Sequence, residues 1–211
     1  MALTKRELSE YIRDVKFGGD PTMEGKLHPA IIWKTADIVV GRLIEAAMFK
    51  TSDSNGYEID GDFISVFKNV DVEDDSDTDE KYSVLPAPLI SLKNNRGLHR
   101  VSEMKNVDNA FSLVPNGSHD IFSILDVHYL NKKTEVYLQG DRIYYRNLRP
   151  TVNKVLIKMV AGISALDNDA PIPIPSIMED EFVQRVSDIL TEQKITPQDK
   201  QNNSNPNIPN I

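Results

Sequence analysis

The chain has 211 residues, 40 % of them hydrophobic, with no cysteine and a formal net charge of −8. That length fits one domain, or one domain with a sizeable insertion, and the apolar fraction is enough for a core without disulfides or metals. The missing cysteine excludes a disulfide framework, a zinc–cysteine site, an iron–sulfur cluster and a thiol nucleophile, and the acidic balance argues against a wholesale nucleic-acid binder.

Nothing in the sequence approaches an apolar run of about 18 residues, so no membrane span is expected. Met1-Ala2-Leu3-Thr4-Lys5-Arg6 is followed by no apolar stretch of the signal-peptide kind, so a product made and kept in a cytosol, or in something assembled there, is expected. A first helix is predicted over residues 4–17. Thr4 and Glu7 have the spacing of a capping box, Leu3 and Leu8 flank it, and Leu8, Tyr11, Ile12 and Val15 recur at helical spacing. Gly18-Gly19-Asp20-Pro21 ends it. A second helix is predicted over residues 29–50, with Pro29 in the first turn. Its apolar stripe (Ile32, Ala36, Val39, Leu43, Ala47, widened by Ile31, Val40, Ile44 and Met48) is broad enough to want partners on more than one side.

From about Gly56 to Ala161 the period changes to that of strands. Tyr57, Ile59 and Phe63 to Phe67 read as strands broken at Asp60-Gly61, and Val84 to Leu92 as an edge or irregular strand because of Pro86 and Pro88. Leu98 to Met104 reads as a strand, and Ser118 to Leu125 as a short helix. Thr134 to Leu138 and Arg142 to Tyr145 form a hairpin joined at Gly140-Asp141. Lys154 to Ala161 closes the region, with Val155, Ile157 and Met159 alternating against Lys154, Leu156 and Lys158. After the stiff lead-in Pro171 to Pro175, a second capping box (Ser176, Glu179) opens a helix over 177–195. Ile177, Phe182, Val186, Ile189 and Leu190 mark its inner face. From Pro197 the chain is Gln-, Asn- and Pro-rich and without period. The expected fold class is α+β, with a helical core from the N- and C-terminal helices and a β-rich inserted subdomain. The segments are 1–55 for the N-terminal helices, 56–162 for the insertion, 163–196 for the C-terminal core helix and 197–211 for an extended tail.

Charge is unevenly placed along the chain. Residues 53–80 hold eleven acidic residues and one basic residue, Lys68, whereas residues 132–158 hold seven basic and two acidic. So dense a run of like charge reads as a solvated loop. Opposite patches on one molecule suggest a directional contact. Asp74, Asp75, Asp77 and Asp79 of one subunit would approach Arg142, Arg146, Arg149 or Lys154 of the next subunit or of an adjacent ring. The tail ends in Ile208, Pro209 and Ile211, which are expected to dock on a neighbouring protein.

Catalytic patterns are near misses. Gly19 to Lys26 approaches a phosphate-binding loop, but it is one residue too long, ends on Leu27 rather than Ser or Thr, and follows a helix. His28, His99, His119 and His128 lack metal spacing. The acidic loop 71–80 lacks the glycine of a calcium-binding loop, and the serines lack a glycine-flanked elbow. Glu58, Asp60 and Asp62 are turn carboxylates rather than a pair facing across a cleft. No catalytic, metal or cofactor residue is therefore assigned, and the work of the protein is expected to be done by surfaces.

Several stretches carry a resemblance in their order and spacing: Gly61 to Ser65; Leu85-Pro86-Ala87 leading to Ile90-Ser91-Leu92; Asn94 to Gly97 and Val101 to Met104; Val114 to Gly117; Gly140 to Tyr145; and Pro173-Ile174-Pro175 before Glu179 to Val183. Together, from Leu3 to Lys200, they resemble a family of virion structural proteins of crAss-like and related short-tailed bacteriophages. The resemblance implies a non-enzymatic head–tail connector ring, homo-oligomeric and commonly twelvefold, placed between the portal protein and adjacent connector or tail rings. It further implies assembly in the bacterial cytoplasm, DNA only as passing cargo, no membrane, and a C-terminal end that reaches the portal. The alternative reading is a non-viral scaffold or interaction module with the same composition.

Overall fold

In a computed structural model the protein is described over residues 3–17, 27–51, 59–76, 80–93, 96–106, 108–114 and 133–192. Three helices are present there: α1 (Lys5–Phe17), α2 (Pro29–Thr51) and α3 (Glu179–Glu192). Eight strands follow one another as β1 (Ser65–Asp71), β2 (Glu73–Asp74), β3 (Lys81–Val84), β4 (Leu98–Glu103), β5 (Ser112–Leu113), β6 (Glu135–Gln139), β7 (Arg142–Arg146) and β8 (Lys154–Met159). They form a three-stranded sheet ordered β1-β8-β4 and a five-stranded sheet ordered β2-β3-β7-β6-β5. The neighbours are antiparallel except for β5 and β6.

The start of α1 is capped as its sequence predicts. The Glu7 carboxylate accepts from Thr4 N and from Thr4 Oγ1, each at 2.9 Å, which holds the Glu7 carboxyl below its ordinary range, and Glu7 N donates to Thr4 Oγ1 at 3.2 Å. The second capping box does not form. Ser176 lies inside a 3₁₀ turn (Ser176–Met178) that no side chain caps, and Glu179 Oε1 accepts from Leu3 N at 3.4 Å. Because that turn is not α-helical, Ile177 does not join the inner face of α3 and is 89 % exposed. The two-residue turn of the β6–β7 hairpin has Gly140 at φ 65°, a left-handed conformation in which glycine meets no steric cost.

Ile32, Leu43, Phe182 and Val186 are all buried where α1, α2 and α3 pack together. The expectation of a helical core carrying a β insertion is nevertheless overturned, because the molecule is β-rich and its two cores run into each other. Phe63, Ile90, Leu92, Val160, Ile163, Ile172 and Ile174, none of them in an α-helix, complete the core against the helices. A second core of Val101, Val136, Ile143, Tyr145, Val155 and Ile157 joins the two sheets. The seam between them is the end of β8 and the segment 85–92. Met159 and Ala161 face the sheet core, whereas Val160 between them faces the helices. Ile90 N donates to Val160 O at 3.0 Å, Gly162 N to Pro88 O at 2.8 Å and Val160 N to Gly97 O at 2.8 Å. The approach is close: a Cβ on Gly97 would lie 2.2 Å from Ile90 O. Leu156, placed by the alternation among polar neighbours, is 5 % exposed, because β8 is central in its sheet and covered on both faces along part of its length.

One clasp fixes the helices to the turn after β8. Asp37 of α2 accepts from Ile163 N at 2.6 Å and from Ser164 Oγ at 3.4 Å. Lys5 of α1, 4 % exposed, donates from Nζ to Ser164 O at 2.9 Å and Leu166 O at 2.8 Å, with its ammonium 3.9 Å from the Trp33 ring centroid. Burial lowers the Lys5 pKa and raises that of Asp37. Replacing Asp37 by Ala, which orphans the Ile163 N–H, is expected to cost about 1–3 kcal/mol in denaturant unfolding, whereas Asp37→Asn keeps an acceptor and loses less. In the wild type the folded chain binds the Asp37 proton more tightly than the unfolded chain. This contribution is therefore full below the ordinary carboxylate pKa of about 4 and is lost as pH rises through the raised value, a slope that Asp37→Asn removes.

Candidate interaction surfaces

The acidic run does not form a loop of its own. Glu73 and Asp74 are strand β2, paired with Tyr82 and Lys81 of β3, and Asp75 N donates to Glu80 O at 2.8 Å across the turn. This hairpin edges the five-stranded sheet, whose next strand is the basic β7. The acidic and basic regions, far apart in sequence, are thus neighbours. Lys154 pairs with Asp71 at 3.4 Å and the half-buried Lys81 with the exposed Asp74 at 3.7 Å, surface contacts worth about 0–1 kcal/mol each. Arg142 lies over the Tyr82 ring at 4.5 Å, Arg146 opposes Glu135 across β6, and Arg149 is exposed beside the turn that closes with Val152. Among the described residues, the acidic hairpin and the basic β7 therefore lie side by side in one sheet. Asp77 and Asp79 lie outside the described residues, as do the predicted helix 118–125 and the tail residues Ile208, Pro209 and Ile211.

On the outer face of this sheet, three tyrosines stand in a row across β3, β7 and β6. Tyr82 is the cross-strand partner of Tyr144, and Tyr144 that of Tyr137. The Tyr137 and Tyr144 rings are stacked at 5.3 Å, and Tyr82 is tilted against Tyr144 at 5.9 Å. Each hydroxyl meets a carboxylate of the acidic hairpin: Tyr82 donates to Glu73 at 2.6 Å, Tyr137 to Glu80 and Tyr144 to Asp75 at 3.4 Å. The row is legible only once the strands are paired, since K-Y-S-V, E-V-Y-L-Q and R-I-Y-Y-R each carry one outward tyrosine at alternate positions. Burial raises the Tyr137 pKa and its bond to Glu80 raises it further, while the Glu73 bond raises Tyr82. Phenols held protonated in this way supply neither a base nor a nucleophile near neutral pH. Beneath, the buried Tyr145 donates to Ser83 Oγ at 2.9 Å, Ser83 donates to Asp71 O at 2.7 Å, and burial again raises the phenol pKa.

The helices carry two further surfaces. Between α1 and α3 runs a groove of about 630 Å³ with an apolar floor of Leu3, Tyr11, Val15 and Val183. Glu7, Glu10, Asp14, Glu179 and Asp180 also line it, and among the described residues no basic side chain does. On α2 the exposed side chains from Ala30 to Met48 are Ala30, Ile31, Lys34, Ile38 and Arg42. Among the described residues no group of three histidines or carboxylates could hold a metal ion, and no helix is long and apolar enough to cross a membrane. Asp60 serves as the cap of the 3₁₀ turn Gly61–Phe63, accepting from Asp62 N at 3.1 Å.

The phenols give a measurable signature. Tyr82, Tyr137 and Tyr145, three of seven tyrosines, are expected to stay un-ionised past the usual phenol value of about 10 and to appear together in the ultraviolet phenolate signal as the chain unfolds. The sign follows from linkage: phenols raised in the folded state stabilise it fully below pH about 10 and lose that contribution as pH rises beyond it. Tyr145→Phe is expected to remove one phenol from the late step.

No protein-family model matches the chain, and no curated protein matches it.

Proposed function

We propose that the protein is a non-enzymatic virion structural protein that builds a homo-oligomeric connector ring between portal and tail, through which the genome is packaged and ejected. The observation that carries this reading is the distribution of exposed apolar side chains. Tyr11 and Val15 on α1, each 54 % exposed, Ile31 and Ile38 on α2, Val66 on the edge strand β1 and Ile177 before α3 are carried by different elements. A closed ring needs two different surfaces on every subunit, one for each neighbour, and a stack of rings needs more above and below. The polar groups with chemistry to offer (Lys5, Asp37 and the tyrosine row) are engaged in holding the fold. The type of ring, its placement in the virion and its portal partner are what the resemblance carried by the motifs from Leu3 to Lys200 implies.

Purified full-length chain, alone and co-expressed with the portal protein of the same genome, tests this by light scattering and negative-stain electron microscopy. The expected result is closed rings of about twelve copies of the 23.8 kDa chain that co-purify with the portal. A chain that stays monomeric at every attainable concentration, with or without portal, contradicts the proposal. Rings that ignore the portal would favour a non-viral scaffold.

A further inference from the structure

We infer that consecutive subunits meet helix to groove: the exposed ridge of α2 on one copy seats in the acidic-rimmed groove between α1 and α3 of the next. This inference rests on the ring reading and names the surfaces that would make it.

The ridge is Ile31, Lys34, Ile38 and Arg42, spaced three, four and four residues apart, which aligns them on one side of α2 over about 16 Å. Ile31 and Ile38 are 36 % and 43 % exposed, and both charged members are cations. The buried residues of α2, Ile32, Ala36, Val39 and Leu43, lie on another face of the helix and belong to the core shared with α1 and α3. The groove has the complementary character. Among the described residues that line it, Tyr11 and Val15 are exposed, and five carboxylates and no cation accompany them. An apolar ridge edged by Lys and Arg can bury its isoleucines on that floor while its cations meet the rim, and ridge-in-groove seating is the ordinary way in which helices pack.

The two surfaces differ, and they are carried by different helices. The contact is therefore head-to-tail and repeats from copy to copy, closing only when the rotation between copies divides a full turn. Four ridge side chains cover less than the ~800 Å² per partner of a typical stable pair. Isolated dimers should accordingly be weak, with assembly gaining from the two contacts that each subunit makes in a closed ring.

Charge exchange tests the pairing. A ridge variant carries Lys34→Glu and Arg42→Glu, and a groove variant Glu10→Lys and Asp14→Lys. All four side chains are exposed, so thermal unfolding should match the wild type. Each variant alone should need a concentration raised at least about tenfold to assemble. An equimolar mixture should recover assembly, because each faulty ridge then meets a groove of reversed sign. If either variant assembles like the wild type, or if the mixture stays dispersed, the contact is wrong while the ring reading survives in the wild-type rings. If rings are unaffected and only the groove variant loses portal binding, the groove belongs to another protein and the inference fails. A wild type that never assembles removes the ring reading and this contact together.

Discussion

The 3₁₀ turn Ile163–Ala165 is held at both ends, and the arrangement of the helices depends on that hold. Asp37 takes the first N–H of the turn and Lys5 takes its last carbonyls, so one short peptide is bound by an anion from α2 and a cation from α1. A buried ammonium without such partners would be expensive. Here two carbonyl oxygens, the Trp33 ring and the nearby Asp37 and Asp167 charges share it. The clasp sets the spacing of α1 from α2, and Trp33 extends it, donating to Ser9 Oγ at 3.0 Å while Ser9 donates to Lys5 O. The segment that follows runs back along the start of α1: Arg6 N donates to Asn168 O at 2.9 Å and Ile172 N to Leu3 O at 2.8 Å. The surfaces on α1, α2 and α3 therefore occupy fixed relative positions, as a repeated contact requires.

The parts of the fold readable in the sequence were those governed by nearest-neighbour chemistry. The capping box at Thr4, the apolar periods of α1 and α2, the hairpin at Gly140-Asp141 and the irregular passage through Pro86 and Pro88 all depend on residues within a few positions of one another. What could not be read depends on partners distant in the chain. Glu179 has the right spacing to cap beside Ser176, yet the N–H it meets is that of Leu3. The acidic run looked like a solvated loop because its counter-charges and tyrosine donors come from β3, β6, β7 and β8. Leu156 sat among lysines in the alternation, yet it is buried because β8 is covered on both faces along part of its length.

The candidate surfaces divide in the same way. The acidic hairpin β2–β3 and the basic strand β7 are neighbours in one sheet, where Asp74 pairs with Lys81, and Asp71 pairs with Lys154 of β8. The α2 stripe, by contrast, was visible as too broad for one partner, and its outer members Ile31 and Ile38 do remain exposed. The groove was invisible in advance, since it arises only where the flank of α1 meets that of α3, from helices more than 160 residues apart in the chain.

The seam between the two cores bears on how the chain can fold. Pro88, Ile90, Gly97, Val160 and Gly162 are joined by main-chain bonds, and residue 160 faces one core while its neighbours face the other. Neither core can reach its final packing before the other supplies its side of β8. Most of these contacts link segments some 60 to 75 residues apart, so their loop-closure entropy is lost before burial repays it. The helices and sheets are thus expected to form as one cooperative unit rather than as independent foldons. An excised fragment spanning residues 56–162 would present Ile90, Leu92 and Val160 to water and would be prone to aggregate rather than stand as a module.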